Sequence, residues 1–263
     1  MSDEPMILLM PPHRLEEARG LSAEAACQVY RVGRGPHLFR AGAGMPPEGG
    51  LMAVDDQGFD GRGEPGILCD EMVRECALRG CRGCVCLFEQ RGGALLERVV
   101  EELGERFSRR GWRLYVPEDY GACSGKARVM ISSALSGGSL RRRLEEAAER
   151  YGRERVVLLM EPAAEDFFLP SPTGCGTPLS REELGERIIQ LRPAIFYSRE
   201  LCARYFTYMS RDSGAHFVLF DDGETVRKKL QTARELGIGG AVAEFARVEP
   251  FLEMIGVKKE GQA

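Results

Sequence analysis

The stretch from residue 83 to residue 116, GCVCLFEQRGGALLERVVEELGERFSRRGWRLYV, decides the fold. It opens on a short apolar run, Cys84–Phe88, the length of a buried strand. Leu95, Leu96, Val99, Val100, Leu103 and Phe107 follow at i, i+4 and i+8 spacings, which places them on one stripe of a helix. A second apolar run, Arg113–Val116, comes directly after. Strand, amphipathic helix and strand in close succession form a βαβ unit, and its two strands run parallel.

The pattern recurs on both sides. Leu51–Val54, Val129–Ser133, Val156–Met160 and Gly240–Ala243 read as further strands, and Leu140–Tyr151 and Thr225–Leu236 as helices, the latter stopped by Gly237. In the first fifty residues, Met6–Met10 is expected as a first strand, Arg14–Arg19 as a helix, and one or two strands within Cys27–Arg40. Eight strands around one core is the simplest count, so the predicted fold is an α/β class (β/α)8 barrel over residues 1–263 as a single domain. One stretch, Phe167–Asp222, breaks the alternation. Pro170, Pro172, Gly174, Gly176 and Pro178 precede a helix start with Ser180 as cap and Glu182 and Glu183 in its first turn. Two β-like runs follow, Ala194–Tyr197 and Tyr205–Met209, then a turn at Asp212–Gly214 and the strand His216–Phe220. A small α+β insertion over 163–222, between the seventh and eighth barrel strands, accounts for them.

Of the 263 residues 43% are hydrophobic, enough to bury a substantial core and to exclude a disordered or collagen-like chain. The formal net charge of −4 argues against nucleic acid or a membrane surface as partner. The only lysines are Lys126, Lys228, Lys229, Lys258 and Lys259, a compositional bias toward arginine with no functional reading. Met6–Met10 is far shorter than the roughly 20 residues of a spanning helix, and it follows Asp3 and Glu4 where a secretory signal would be basic. A cytoplasmic protein with its nine cysteines reduced is therefore expected.

Three segments together resemble the family 18 glycoside hydrolases, in particular the bacterial spore-associated branch that attacks N-acetylglucosamine-containing polymers. Gly83–Glu89 sits like that family's Asp-Gly-x-Asp-x-Asp-x-Glu strand. Val156–Pro170, ending Asp166-Phe167-Phe168-Leu169-Pro170, is similar to the seventh strand with its Tyr-Asp-Trp-x-Leu-Pro loop. Ala203–Glu244 follows the family's insertion hairpin, last helix and eighth strand: Tyr205-Phe206-Thr207-Tyr208, a turn, Phe220-Asp221-Asp222, and a helix from Thr225 to Gly237.

The resemblance implies a mechanism in which the terminal Glu protonates the leaving oxygen while an Asp two residues earlier orients the substrate's own acetamido nucleophile. Period-2 geometry sends Val85, Leu87 and Glu89 inward, so only the final acid is present; both inward aspartates are missing and Arg82 stands where another opens the motif. A carboxylate aimed at the cationic intermediate is worth several kcal/mol, and a leucine supplies none of it. Aligning the family's Met-x-Tyr-Asp with Ile131-Ser132-Ser133-Ala134 puts Ser133 in place of the acetamido-holding Tyr. Glu244 takes the place of the Trp floor, and Ala163 that of a further aromatic. Because barrel sites lie at the C-terminal ends of strands, Asp55, Asp56, Glu89, Glu118, Asp119, Glu161 and Glu244 are expected around the mouth. Glu89 is the general-acid candidate, Glu244 or Glu161 its second carboxylate, and Asp55, Glu118, Ser133 and Asp166 candidate substrate contacts. The alternative for any of these acids other than Glu89 is a solvated or helix-capping role.

Cys81-x-x-Cys84-x-Cys86, with Cys69 and Cys76 upstream, has the look of a metal motif. Strand geometry instead turns Cys84 and Cys86 away from Glu89 toward the helices, as buried small hydrophobes. No metal or cofactor is expected, and His13, His37 and His216 are isolated in sequence. Two functions follow: a chitinase-like pseudoenzyme that binds an N-acetylglucosamine-containing glycan or a spore-coat or cortex component, or an active glycosidase using Glu89 with a non-standard second carboxylate.

Overall fold

The computed structural model describes residues 6–90, 93–171, 174–211 and 214–258. β1 (Ile7–Met10) leads through a short helix, α1 (Leu15–Ala18), to β2 (Glu24–Val32), which folds back on β3 (Leu38–Arg40). Then come β4 (Leu51–Asp55), α2 (Pro65–Leu78), β5 (Gly83–Leu87), α3 (Ala94–Ser108) and β6 (Arg113–Pro117), followed by β7 (Arg128–Ser132), α4 (Leu140–Tyr151) and β8 (Val156–Met160). A second sheet contains β9 (Ala164–Leu169), β10 (Thr177–Pro178), β11 (Phe196–Ser198), β12 (Ala203–Ser210) and β13 (Gly214–Phe220), with α5 (Arg181–Leu191) between β10 and β11. The chain returns to the barrel through α6 (Gly223–Glu235), β14 (Gly240–Glu244) and α7 (Phe245–Val248).

Eight parallel strands close on themselves: β1 pairs with β2 on one side and β14 on the other, and β4, β5, β6, β7 and β8 complete the ring. This is a (β/α)8 barrel with an antiparallel α+β insertion between its seventh and eighth strands. One apolar cluster takes a side chain from every stave: Leu9, Ala26, Ala53, Val85, Tyr115, Met130, Val157 and Val242. A set that touches all eight strands can only be the lumen, and it identifies the inward face of each strand. The larger core lies between strands and helices. Its α3 contribution, Leu96, Val99, Val100, Leu103 and Phe107, is the stripe that the spacing predicts.

Local chemistry sets the boundaries. Ser139 caps α4 by accepting from the amide of Arg142, Ser180 and Glu183 form a capping box on α5, and Asp222 and Thr225 form one on α6. Gly83 opens the site strand with φ +153, and a Cβ there would overlap the carbonyl oxygen of Arg113 on β6. Close approach of β5 to β6 therefore requires glycine.

Several expectations shift. Of the one or two strands expected within Cys27–Arg40 there are two, β2, which begins earlier at Glu24, and β3. The helix expected at Arg14–Arg19 is the single turn α1. β9 falls where a loop is expected after the seventh strand. Its consecutive acids, Glu165 and Asp166, hide any alternation, and pairing with β13 from Ala164 to Leu169 overrides the local signal. The expected turn at Asp212–Gly214 lies outside the described residues except for Gly214. Cys69, Cys76, Cys81, Cys84 and Cys86 are all buried in the strand–helix layer, and burial pushes the Cys69 thiol up to about 12. Among the described residues no helix is long and apolar enough to cross a membrane.

Candidate functional site

The fourth stave is built as its residue alternation requires. Val85 belongs to the lumen cluster and Leu87 packs on it half-buried, whereas Cys84, Cys86 and Phe88 lie in the outer layer. Glu89 follows two residues beyond the last paired residue of β5, exposed at the C-terminal end of the stave. No partner of its carboxyl lies among the described residues. Its backbone is fixed by Asp56, which is 3% exposed at the end of the third stave. One carboxylate oxygen of Asp56 accepts from the Glu89 amide and the other from the Gln90 amide, each at 3.0 Å.

Asp55, Glu161 and Glu244 each lie against an arginine. Asp55, on the inward face of β4, accepts from Arg31 Nε at 3.0 Å. Glu161, one residue beyond β8, accepts from the hydroxyl of Ser132 and lies 3.6 Å from the Arg247 guanidinium. Glu244, the last residue of β14, lies 3.5 Å from the same guanidinium. The structure thus brings Glu161 and Glu244 together around Arg247, on staves adjacent in the ring. Arg247 follows Glu244 at helical spacing, so the pairing could have been found from sequence.

Three expected contacts lie elsewhere. Glu118 is paired with Arg143 of α4, so its carboxylate is engaged with the helix that follows the sixth stave. Asp166 is 7% exposed inside the insertion, where it accepts from Tyr208 Oη at 2.9 Å, lies 2.9 Å from His216 Nδ1 and pairs with Arg187. Both its oxygens are occupied, and His216, isolated in sequence, belongs to this cluster. Ser133 needs a correction. It is fully buried, its hydroxyl accepts from the Glu161 amide at 2.9 Å, and the inward residues of β7 are Met130 and Ser132. Counting in twos from Met130 moves the expected alignment by one residue, and Ser132 is the side chain that reaches the mouth.

The resulting chemistry is lopsided. Glu89 can donate a proton or accept a hydrogen bond from a ligand hydroxyl or amide. The inward residues beneath it are an alkane pair, Val85 and Leu87, which can neither orient an acetamido group nor offset a cation. Glu161 and Glu244 already share the positive charge of Arg247. The fourth stave ends in an exposed acid and carries no second carboxylate below it on its own strand.

No protein-family model and no curated protein sequence matches the chain. Solved structures do. A chitinase from Chromobacterium violaceum superposes with a TM-score of 0.71 at 15% identity, over 95% of this chain and 98% of that one. The spore cortex-lytic enzyme SleL of Bacillus megaterium gives 0.64 at 14%, over 91% and 70%. A class V chitinase from Nicotiana tobaccum in complex with NAG4 gives 0.60 at 11%, over 89% and 92%. The chain therefore shares the fold of these chitinases and of a spore cortex-lytic enzyme.

Proposed function

We propose that the protein binds an N-acetylglucosamine-containing glycan at the C-terminal mouth of its barrel, in a spore-related setting, and has lost or nearly lost the ability to hydrolyse it. One observation carries the reading: Val85 and Leu87 face the lumen on the fourth stave, so the two positions ahead of Glu89 where the family carries aspartates are apolar. The shared fold with chitinases and a spore cortex-lytic enzyme, and the NAG4 bound to one of those chitinases, point to the ligand class. The enclosed lumen below Leu87 leaves the rim as the place of contact.

A second reading keeps hydrolysis, with Glu89 as acid and Glu244 or Glu161 as the other carboxylate. In its favour, a carboxyl stands at or just beyond the end of both the seventh and the eighth staves, at Glu161 and Glu244. Carboxyl separations of about 5–5.5 Å or about 6.5–9.5 Å would correspond to retaining and inverting pairs.

Tetra-N-acetylchitotetraose binding by calorimetry and turnover of a fluorogenic chitobioside separate the two. Binding that falls at least about tenfold in Glu89→Gln, with turnover at the buffer blank, is expected. Turnover abolished by Glu89→Gln would establish the second reading instead. Absence of both binding and turnover would overturn both.

A further inference from the structure

We infer that Asp56 is a positioning residue for Glu89: its buried carboxylate holds the backbone from which Glu89 reaches the mouth. The inference rests on the reading of Glu89 as the side chain that meets the ligand.

β5 stops pairing at Leu87, so the strand ladder does not hold Glu89. At that point a side chain from the third stave takes over the role of a neighbouring strand. Asp56 is 3% exposed and gives one oxygen to each of two consecutive amides, Glu89 and Gln90, both at 3.0 Å. An ionised carboxylate withdrawn from water is tolerated only where hydrogen bonds replace its hydration, and amide donors to a charged acceptor are among the stronger ones. Two donors on one rigid planar acceptor also fix the direction of the peptide between them.

The bracket is closed by groups on either side. Gln90 Nε2 donates to the carbonyl of Phe59 at 3.0 Å, and the hydroxyl of Tyr120 donates to the Gln90 carbonyl. The Phe88 ring meets Tyr120 edge-on at 5.6 Å between centroids, which fills the outer side. Burial, with the charge of Asp56 second, pushes the Tyr120 phenol upward, so it stays a donor. Every one of these contacts goes to backbone or to the outer face, and none occupies the Glu89 carboxyl. The arrangement is rigid behind the acid and open in front of it, as pre-organisation of a ligand-facing group requires.

The test combines local exchange with a double-mutant cycle on the full chain, using tetra-N-acetylchitotetraose as the probe. In the wild type the Glu89 and Gln90 amides should exchange at least about tenfold more slowly than an unbonded amide, because both are donors to a buried acceptor. Asp56→Asn should remove that protection while amides of α3 keep theirs. The same variant should weaken tetraose binding roughly tenfold in the wild-type background and less than about twofold in Glu89→Gln, since a residue acting through Glu89 has nothing left to position. Equal losses in both backgrounds, or amides unprotected in the wild type, would overturn the inference. If Asp56→Asn does not fold, the wild-type amides still decide it. If the wild type binds no glycan, the proposed function fails and the amide exchange judges Asp56 alone.

Discussion

The junction between barrel and insertion and the rim of the barrel mouth both set acids against bases, and burial makes them different devices. At the junction, Lys229 Nζ donates to Asp221 at 2.6 Å, and their side chains are 1% and 0% exposed. The same carboxylate oxygen accepts from the Ala163 amide at 2.7 Å, and the Asp221 amide donates back to Ala163 at 2.8 Å. The chain leaves and re-enters the barrel at this clasp. At the rim, Arg247 is 52% exposed and lies 3.5–3.6 Å from Glu244 and Glu161, beyond hydrogen-bond distance. Water screens the rim pair, so it costs little to open, whereas the junction pair has no solvent to replace a lost partner. Charges of the first kind hold the architecture; those of the second kind are held only loosely.

The largest effect expected from this contrast is at Lys229. Lys229→Met keeps the length of the side chain and strands a buried carboxylate, one of whose oxygens already lacks a partner among the described residues. Such a loss costs about 3–5 kcal/mol. Urea unfolding at neutral pH should show it, and adding Asp221→Asn to the same chain should recover a large part, because the uncompensated charge is then gone. A single variant within about 1 kcal/mol of wild type would mean that the clasp is solvated after all, and the contrast with the rim would fail.

Asp222, next to the clasp, sits between the two extremes. It caps α6 through the Thr225 amide at 2.9 Å and pairs with Arg204, while its side chain keeps 36% exposure. Burial alone would raise its pKa, but the Thr225 amide and the Arg204 guanidinium outweigh it and hold the carboxyl below the ordinary aspartate value. A depressed folded value means that its stabilising contribution is complete above that ordinary value and is lost as pH falls through the folded one. Asp222→Ala should cost about 0.5–2 kcal/mol at neutral pH, with the gap to wild type closing below about pH 4. A gap independent of pH in thermal melts would assign the effect to helix propensity instead of the cap.

Most of this was legible in the sequence where physics is local. The α3 stripe, the Ser180 cap and the inward–outward order of Val85, Cys86, Leu87 and Phe88 depend on near neighbours and on strand period, and they stand as read. The strand β9 was hidden because its place comes from pairing with residues some fifty positions later. The roles of the acids were hidden for a related reason. Asp56, Asp166 and Glu118 are equivalent as acids in the sequence, and only their partners, 21 to 50 residues away in the chain, show what each one holds. Ser133 was misplaced by one residue, which in a strand exchanges the two faces.

The smallest stability effect belongs to the rim, and it tests the contrast from the other side. Arg247→Ala removes the base shared by Glu161 and Glu244 but leaves both carboxylates in water. Exposed pairs of this geometry are worth about 0–1 kcal/mol, so the unfolding midpoint should move by no more than a degree or two. The functional readout should be larger than the structural one, since the freed carboxylates make the mouth more negative where a glycan would touch it. Tetraose affinity in Arg247→Ala should therefore become more sensitive to mutation of Glu161 and Glu244 than it is in the wild type. A loss of stability above about 1.5 kcal/mol would show that Arg247 is architectural like Lys229, and the division between clasp and rim would have to be redrawn around burial that the exposed fraction does not capture.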